Sequence, residues 1–234
     1  MELLDSRTDI HAGIRRIRLD GRHALAVAEA QRAHVEEFMA SFASRQPDPN
    51  FFRLLDVARR IAGIGSLGVE RYVLLVEGKG SPGDNYLLDL KAAHPSVLVP
   101  YLAAPQPKWQ SEAQRIVSIQ RRMQAMSPAF LHSEEVNGKP FVLRGLQPSE
   151  DRLNLAAAKG GKSMLQPVVA AMGKILAWGQ LRSSGFHGSA SARELIAFGQ
   201  DAHMWSQALI ELAANLAEQV EADWRAFRDK PPAV

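Results

Sequence analysis

The stretch GIGSLGVERYVLLVEGKGSPGDNYLLDLK, residues 63–91, decides how the rest of the chain is read. It opens with Gly63, Gly65 and Gly68 at G-x-G-x-x-G spacing and continues into the apolar, β-favouring run from Val69 to Val76. It then turns between Gly78 and Gly83, returns along Tyr86 to Leu90 and presents Lys91. Glycine lets a backbone adopt positive φ and approach a ligand closely, so a glycine-rich hairpin followed by a strand-borne lysine is one way to hold a polyphosphate. The same glycines also suit a plain tight turn, and both readings carry forward.

Upstream, Phe51, Leu54, Leu55 and Ala58 recur at helical spacing after Asn50, with Arg53, Arg59 and Arg60 off that face. This predicts a helix leading into Gly63. A dinucleotide site has the opposite order, strand then glycines then helix, whereas β-favouring residues after the glycines suit two strands folding over phosphates, as in protein kinases. In that arrangement a lysine on a neighbouring strand is held by a glutamate from the next helix. Ser111 and Gln114 form a capping-box pattern ahead of Ile116, Ile119, Met123 and Met126, which predicts a helix over 111–126 with Glu112 in its first turn. Glu112 is thus the candidate partner of Lys91, with Glu70, Glu77 and Asp89 as alternatives, since the helix dipole alone favours an acidic residue at Glu112. Asn137-Gly138 joins predicted strands near 130–136 and 141–146. The second leads into Gly145 and Leu146, where a kinase lobe offers backbone groups to adenine.

Nearer the amino terminus, the alternation from Ile14 to Leu19, closed by Asp20-Gly21, predicts a short strand. Val35, Phe38, Met39 and Phe42 predict a helix over about 27–43. Beyond Pro148 the β signal disappears. One helix is expected to about Ser183, with Val168, Met172, Ile175, Leu176 and Trp178 as its buried side. A second capping box, Ser191 with Glu194, opens a helical stretch to about Arg228, with a break expected near Gly199. The expected organisation is α+β: an N-terminal segment over 1–50, a β-rich lobe over 51–150 and a helical lobe over 151–234.

Composition narrows the function classes. Charged residues make up 23% and hydrophobic ones 46% of 234 residues, ordinary globular proportions. The net charge of +3 is too small to argue for nucleic acid without a concentrated patch. The absence of cysteine removes disulfides, thiolate chemistry and cysteine-ligated zinc, and the seven histidines show no ligand spacing. No apolar run approaches the roughly 20 residues that cross a bilayer, so no membrane role is expected and a cytoplasmic setting fits best. Gly-Gly-Lys-Ser at 160–163 has Ala156 where a P-loop needs glycine, and reads as a basic turn.

Several of these segments resemble one known family. ARRIAGIGSLGVERYVLLVEG (58–78), LLDLKAAHPS (87–96), SEAQRIVSIQRRMQ (111–124), FVLRGLQPSED (141–151) and AWGQLRSSG (177–185) occur in order and look like the later part of the bacterial domain of unknown function family 2252. The resemblance covers most of the chain from about Leu3. It implies a protein-kinase-like fold similar to the aminoglycoside phosphotransferases, with a small nucleotide-binding β lobe followed by a helical lobe. It also implies a permutation, because a catalytic-loop motif of the type G-D-x-H-x-x-N and a metal-binding aspartate motif precede the glycines. This sequence has no such stretch, and Phe186-His187-Gly188-Ser189 lacks the aspartate and asparagine in order.

The expectation is therefore the nucleotide-binding part of a phosphotransferase, inactive alone, either the carboxy-terminal part of a longer protein or a shortened homologue. ATP would lie with its phosphates under Gly63, Gly65, Ser66, Leu67 and Gly68, Lys91 as their cation, Glu112 orienting it, and Gly145 and Leu146 beside adenine. Magnesium would be needed for transfer, with its ligands not found in this sequence, and the acceptor is not identified. Two alternatives stand beside this: a non-catalytic nucleotide- or partner-binding module, and an interaction protein that self-associates through an uncovered apolar face. A dinucleotide oxidoreductase would require a helix directly after Gly68.

Overall fold

The computed structural model describes residues 2–63, 68–103, 106–147 and 161–230. In chain order these form α1 (Glu2–Arg7), β1 (Thr8–His11), β2 (Ile14–Ile17), β3 (Ala24–Leu25), α2 (Glu29–Ser44), β4 (Leu54–Arg60), β5 (Arg71–Val76) and β6 (Tyr86–Ala92). There follow α3 (Glu112–Met123), β7 (His132–Val136), β8 (Lys139–Gly145), α4 (Gly161–Ser183), α5 (Ala192–Gln200) and α6 (Ala202–Arg228). The architecture is mixed α+β. The chain divides into two compact units, Met1–Gly179 and Gln180–Val234.

The first unit is organised by a six-stranded antiparallel sheet in the order β3-β4-β5-β6-β8-β7. All six residues of β5 are buried, which is why Tyr72 to Val76, after Arg71, form a continuous apolar run rather than an alternation. One face presents Val57, Leu74, Leu88, Leu90, Phe141 and Leu143 to Val35, Phe38, Met39 and Phe42 of α2. Each large apolar side chain fully buried there stabilises the fold by roughly 1.5–3 kcal/mol. That packing holds α2 in place, because Ala28 at its start offers no side-chain cap. Residues 1–50 thus belong to the sheet unit: α2 closes one face, while Leu4 and Ile17 join Ala58, Val73, Leu75 and Leu87 on the other.

The helix expected over Phe51 to Ala58 is strand β4 instead, paired with β5 from Leu54↔Val76 to Arg59↔Tyr72. Its apolar residues mimic a helical period because the strand carries a register shift between Leu54 and Asp56 and buries neighbours on both faces, Val57 on one and Ala58 on the other. Phe51 and Phe52 precede the strand in a turn, where Asp48 Oδ1 accepts from the Asn50 and Phe51 amides. Their rings pack edge-on to each other and against Phe130.

The other expected elements hold with small shifts. Ser111 Oγ accepts from Gln114 N at 3.1 Å and starts α3, which ends at Met123. Asn137 and Gly138 turn between β7 and β8 with both φ values positive, as a two-residue hairpin requires. In the second unit the Ser191–Glu194 capping box is complete, and the break falls at Asp201 instead of Gly199. None of the described residues of this unit is buried. In α4, Met172, Ile175, Leu176 and Trp178 are each more than half exposed and Val168 is half-buried, so the expected buried side of that helix is open.

Candidate functional site

Successive strand residues point to opposite faces, so Leu87, Asp89 and Lys91 share the β6 face turned away from α2. Across the ladder, Asp89 stands between Val73 and Arg144, and Lys91 between Arg71 and Val142. Asp89 is 1% exposed yet ionised partners surround it. Arg71 donates to both carboxylate oxygens, Nε to Oδ1 and Nη2 to Oδ2, each at 2.7 Å. Arg60 Nη1 lies 2.8 Å from Oδ1, and Arg144 approaches Oδ2 at 3.4 Å. Burial pushes the Asp89 carboxyl up, but the Arg71 hydrogen bonds and the charges of Arg60 and Arg71 outweigh it and hold the group below the usual carboxylate value.

Lys91 sits in the same row and, among the described residues, forms no hydrogen bond or ion pair. Burial lowers its ammonium pKa, the Arg71 and Arg144 charges lower it further, and only Asp89 opposes them. The Arg60 guanidinium is likewise shifted down by burial, with Asp89 as its counter-charge. Three arginines therefore approach one carboxylate, with Lys91 beside them on the same half-buried face.

A cleft of about 260 Å³ opens beside this row. Ile17, Ala24, Val73 and Leu146 give it apolar lining, and Arg18, Asp20, Arg22, Arg60 and Gly63 line it as well. Arg60 thus belongs to both features: it lines the cleft and contacts Asp89. Lys91 and Glu112 do not line the cleft.

The expected site residues divide accordingly. Gly63 ends the approach from β4 at φ +63°, and Gly68 begins the departure into β5 at φ +76°. Both adopt the left-handed region, which by itself accounts for glycine at these two positions. Gly65, Ser66 and Leu67 lie outside the described residues. Glu112 is not brought to Lys91: its carboxylate accepts from Arg115 Nε at 2.6 Å, one turn along its own helix. Of the alternatives, Glu70 pairs with Lys139 and Glu77 with Arg53, while Asp89 alone shares the lysine's row.

Gly145 and Leu146 spend their backbone donors on the fold. The Gly145 amide donates to Ala129 O at 2.6 Å and the Leu146 amide to Leu87 O at 2.9 Å. A Cβ on Gly145 would lie 2.8 Å from Tyr86 Oη, so close packing is what requires glycine there. Leu146 reaches the site as part of the cleft wall rather than as an amide donor.

Arg60, Arg71 and Arg144 were not singled out by the sequence reading. The available signal was a charge inside an otherwise apolar strand, since Arg71 opens RYVLLV and Arg144 interrupts FVLRG. Arg60 was hidden by the helical reading of its segment.

Residues 1–230 match the family described as uncharacterized protein conserved in bacteria, DUF2252. The chain belongs to that family. No curated protein and no solved structure matches it. In this DUF2252 chain the described residues contain no group of three or more His, Asp or Glu placed to hold a metal ion. Among the described residues, no helix is long and apolar enough to cross a membrane.

Proposed function

We propose that this chain is the nucleotide-binding part of a protein-kinase-like phosphotransferase, with ATP as its ligand. The observation that carries this reading is Arg60, which joins a cleft with one apolar wall and several charged side chains, beside Gly63, to a row of cations on the same sheet face. A nucleotide combines a flat, largely apolar base with a polyanion, and the face offers a partner for each. The order of elements supports it: strand, glycine turn, strand, lysine-bearing strand, helix and hairpin follow one another as in the small lobe of kinases. A dinucleotide site is disfavoured because strand β5, not a helix, follows Gly68.

In this reading Ile17, Ala24, Val73 and Leu146 flank the base, and Lys91 faces the phosphates. Asp89, rather than Glu112, opposes the charge of Lys91. Magnesium supplies charge neutralisation in phosphoryl transfer, and the described residues offer it no cluster of carboxylates. The reading therefore assigns binding and positioning to this chain and no transfer step. A cytoplasmic setting, where ATP is abundant, accords with it.

Calorimetric titration with ATP, with and without magnesium, tests the proposal on the chain and on Lys91→Ala. Saturable binding weakened several-fold by the substitution is the expected result, and no heat of binding from a folded sample would end the reading. A second reading, an interaction module that associates with its own copies, has its own observation in the open apolar stripe of α6: Leu209, Leu212, Leu216, Val220, Trp224 and Phe227.

A further inference from the structure

We infer that the cavity beside the β5–β6 turn is a binding site for a free aromatic amino acid, its ring held by Phe51, Tyr86 and Phe130 and its two charges read by Lys79 and Asp84; this goes beyond the nucleotide reading and stands without it. The cavity measures about 570 Å³, against about 260 Å³ for the cleft at Arg60. Small-molecule sites have volumes of roughly 300–1,000 Å³. Leu3, Leu87 and Leu146 supply its aliphatic lining. The three rings pack on one another with centroids 5.3 to 5.8 Å apart and are only partly buried. A cluster that served the core alone would be sealed by the core's own side chains, whereas an aromatic guest here extends a cluster the fold has already built.

The polar part of the site comes from the sequence of the turn. The Lys79 amide donates to Asp84 O at 3.0 Å and the Asp84 amide to Gly80 O at 2.8 Å, which sets Lys79 and Asp84 across the turn from each other. Gly78 closes this turn at φ +66°, where a Cβ would collide with Asp84 O. Lys79 and Asp84 are exposed, and among the described residues neither side chain forms a hydrogen bond or ion pair. One charge of each sign on the same cavity matches the carboxylate and ammonium of an amino acid, while a simple anion would meet Asp84 as a like charge. Two further groups suit the ring. Tyr86 Oη forms no hydrogen bond among the described residues, and burial raises the phenol's pKa, which keeps it a donor at neutral pH. Asn85 is 6% exposed, and its Nδ2 donates to Glu77 O at 2.9 Å and to Ser81 Oγ at 2.8 Å. Glu77 O can only accept, so the amide's orientation is fixed and Oδ1 is left buried with no donor. A guest ring that carries an N–H or O–H supplies one, so tryptophan or tyrosine fits better than phenylalanine.

The test measures binding of tryptophan, tryptamine, indole-3-propionate and N-acetyltryptophanamide to the whole chain by equilibrium dialysis, and repeats it with Lys79→Gln, Asp84→Asn and Lys91→Ala. Circular dichroism melts establish that each variant is folded. The expected result is saturable binding of tryptophan. Tryptamine and indole-3-propionate, each lacking one charge, bind about three- to fivefold more weakly, the worth of an ion pair at a solvated mouth, and N-acetyltryptophanamide more weakly still. Lys79→Gln weakens tryptophan and indole-3-propionate by that factor and spares tryptamine, whereas Asp84→Asn weakens tryptophan and tryptamine and spares indole-3-propionate. Tryptophan that fails to bind the folded chain, or binds both turn variants as tightly as the parent, overturns the proposal. N-acetyltryptophanamide that binds as tightly as tryptophan overturns it too, and makes the cavity a pocket for an aromatic residue within a peptide. Lys91 does not line this cavity, so Lys91→Ala is expected to leave tryptophan binding unchanged. Loss of tryptophan binding in that variant would assign the ligand to the cleft at Arg60 instead, and the proposal would fall.

Discussion

Asp89 shows how one buried carboxylate can decide the behaviour of a whole sheet face. Removing its charge leaves Arg71 and Arg60 in a partly dehydrated site without the carboxylate they share, the situation in which loss of one partner costs most. Asp89→Asn is therefore expected to destabilise the sheet unit by about 3–5 kcal/mol, read from urea melts at neutral pH. The same experiment has a pH signature. The Asp89 carboxyl is held below its ordinary value of 3.8 in the folded state, so its contribution is complete above that value and is lost as pH falls through the lower folded value. The gap between the parent chain and the variant should stay constant at higher pH and close in acid. A gap that persists unchanged into strong acid would mean that the substitution acts through packing alone.

At the scale of elements, what the sequence revealed and what it concealed follow from the same cause. Helices and turns governed by local chemistry were legible: the Ser111 cap of α3, the Ser191–Glu194 box of α5 and the Asn137-Gly138 hairpin all depend on residues within a few positions of one another. Strand β4 was not legible, because its identity comes from pairing with β5 and from a register shift, neither of which has a local signature. The candidate site inherits that asymmetry. Lys91 and the glycine turn could be found from spacing, whereas the Arg60–Asp89–Arg71 network exists only once three strands are laid side by side. Glu112 illustrates the opposite error, a local cue explained by a local partner, Arg115. Gly145 gives an element-scale prediction of the same kind. A methyl group there meets Tyr86 Oη at 2.8 Å and Ala129 O at 3.3 Å, so Gly145→Ala should cost about 1–3 kcal/mol by overpacking. Adding Tyr86→Phe removes the nearest atom without emptying the aromatic cluster. In a double-mutant cycle of thermal melts it should restore part of the loss, and strict additivity would show that the contact is not the cause.

At the scale of the whole molecule, the two units differ in how they satisfy their apolar residues. The sheet unit buries its large side chains on both faces, but the second unit has no buried residue among those described. On α6 the open residues Leu209, Leu212, Leu216, Val220, Trp224 and Phe227 recur every three or four positions and form one continuous stripe. A solvated helix has no need of such a stripe, since charged side chains at those positions would form the helix equally well. Isolated exposed leucines are ordinary, but a stripe running the length of a helix is the pattern of a face that packs on a partner. If that partner is a second copy of the chain, sedimentation will show a weight-average mass that rises with concentration. Leu216→Lys together with Val220→Lys should then return the chain to monomer, because each lysine would have to lose its hydration inside the contact. The substitutions lie outside the cation row and the cleft, so binding of ATP should survive them. A chain that stays monomeric at all concentrations before any substitution would refute self-association through this stripe.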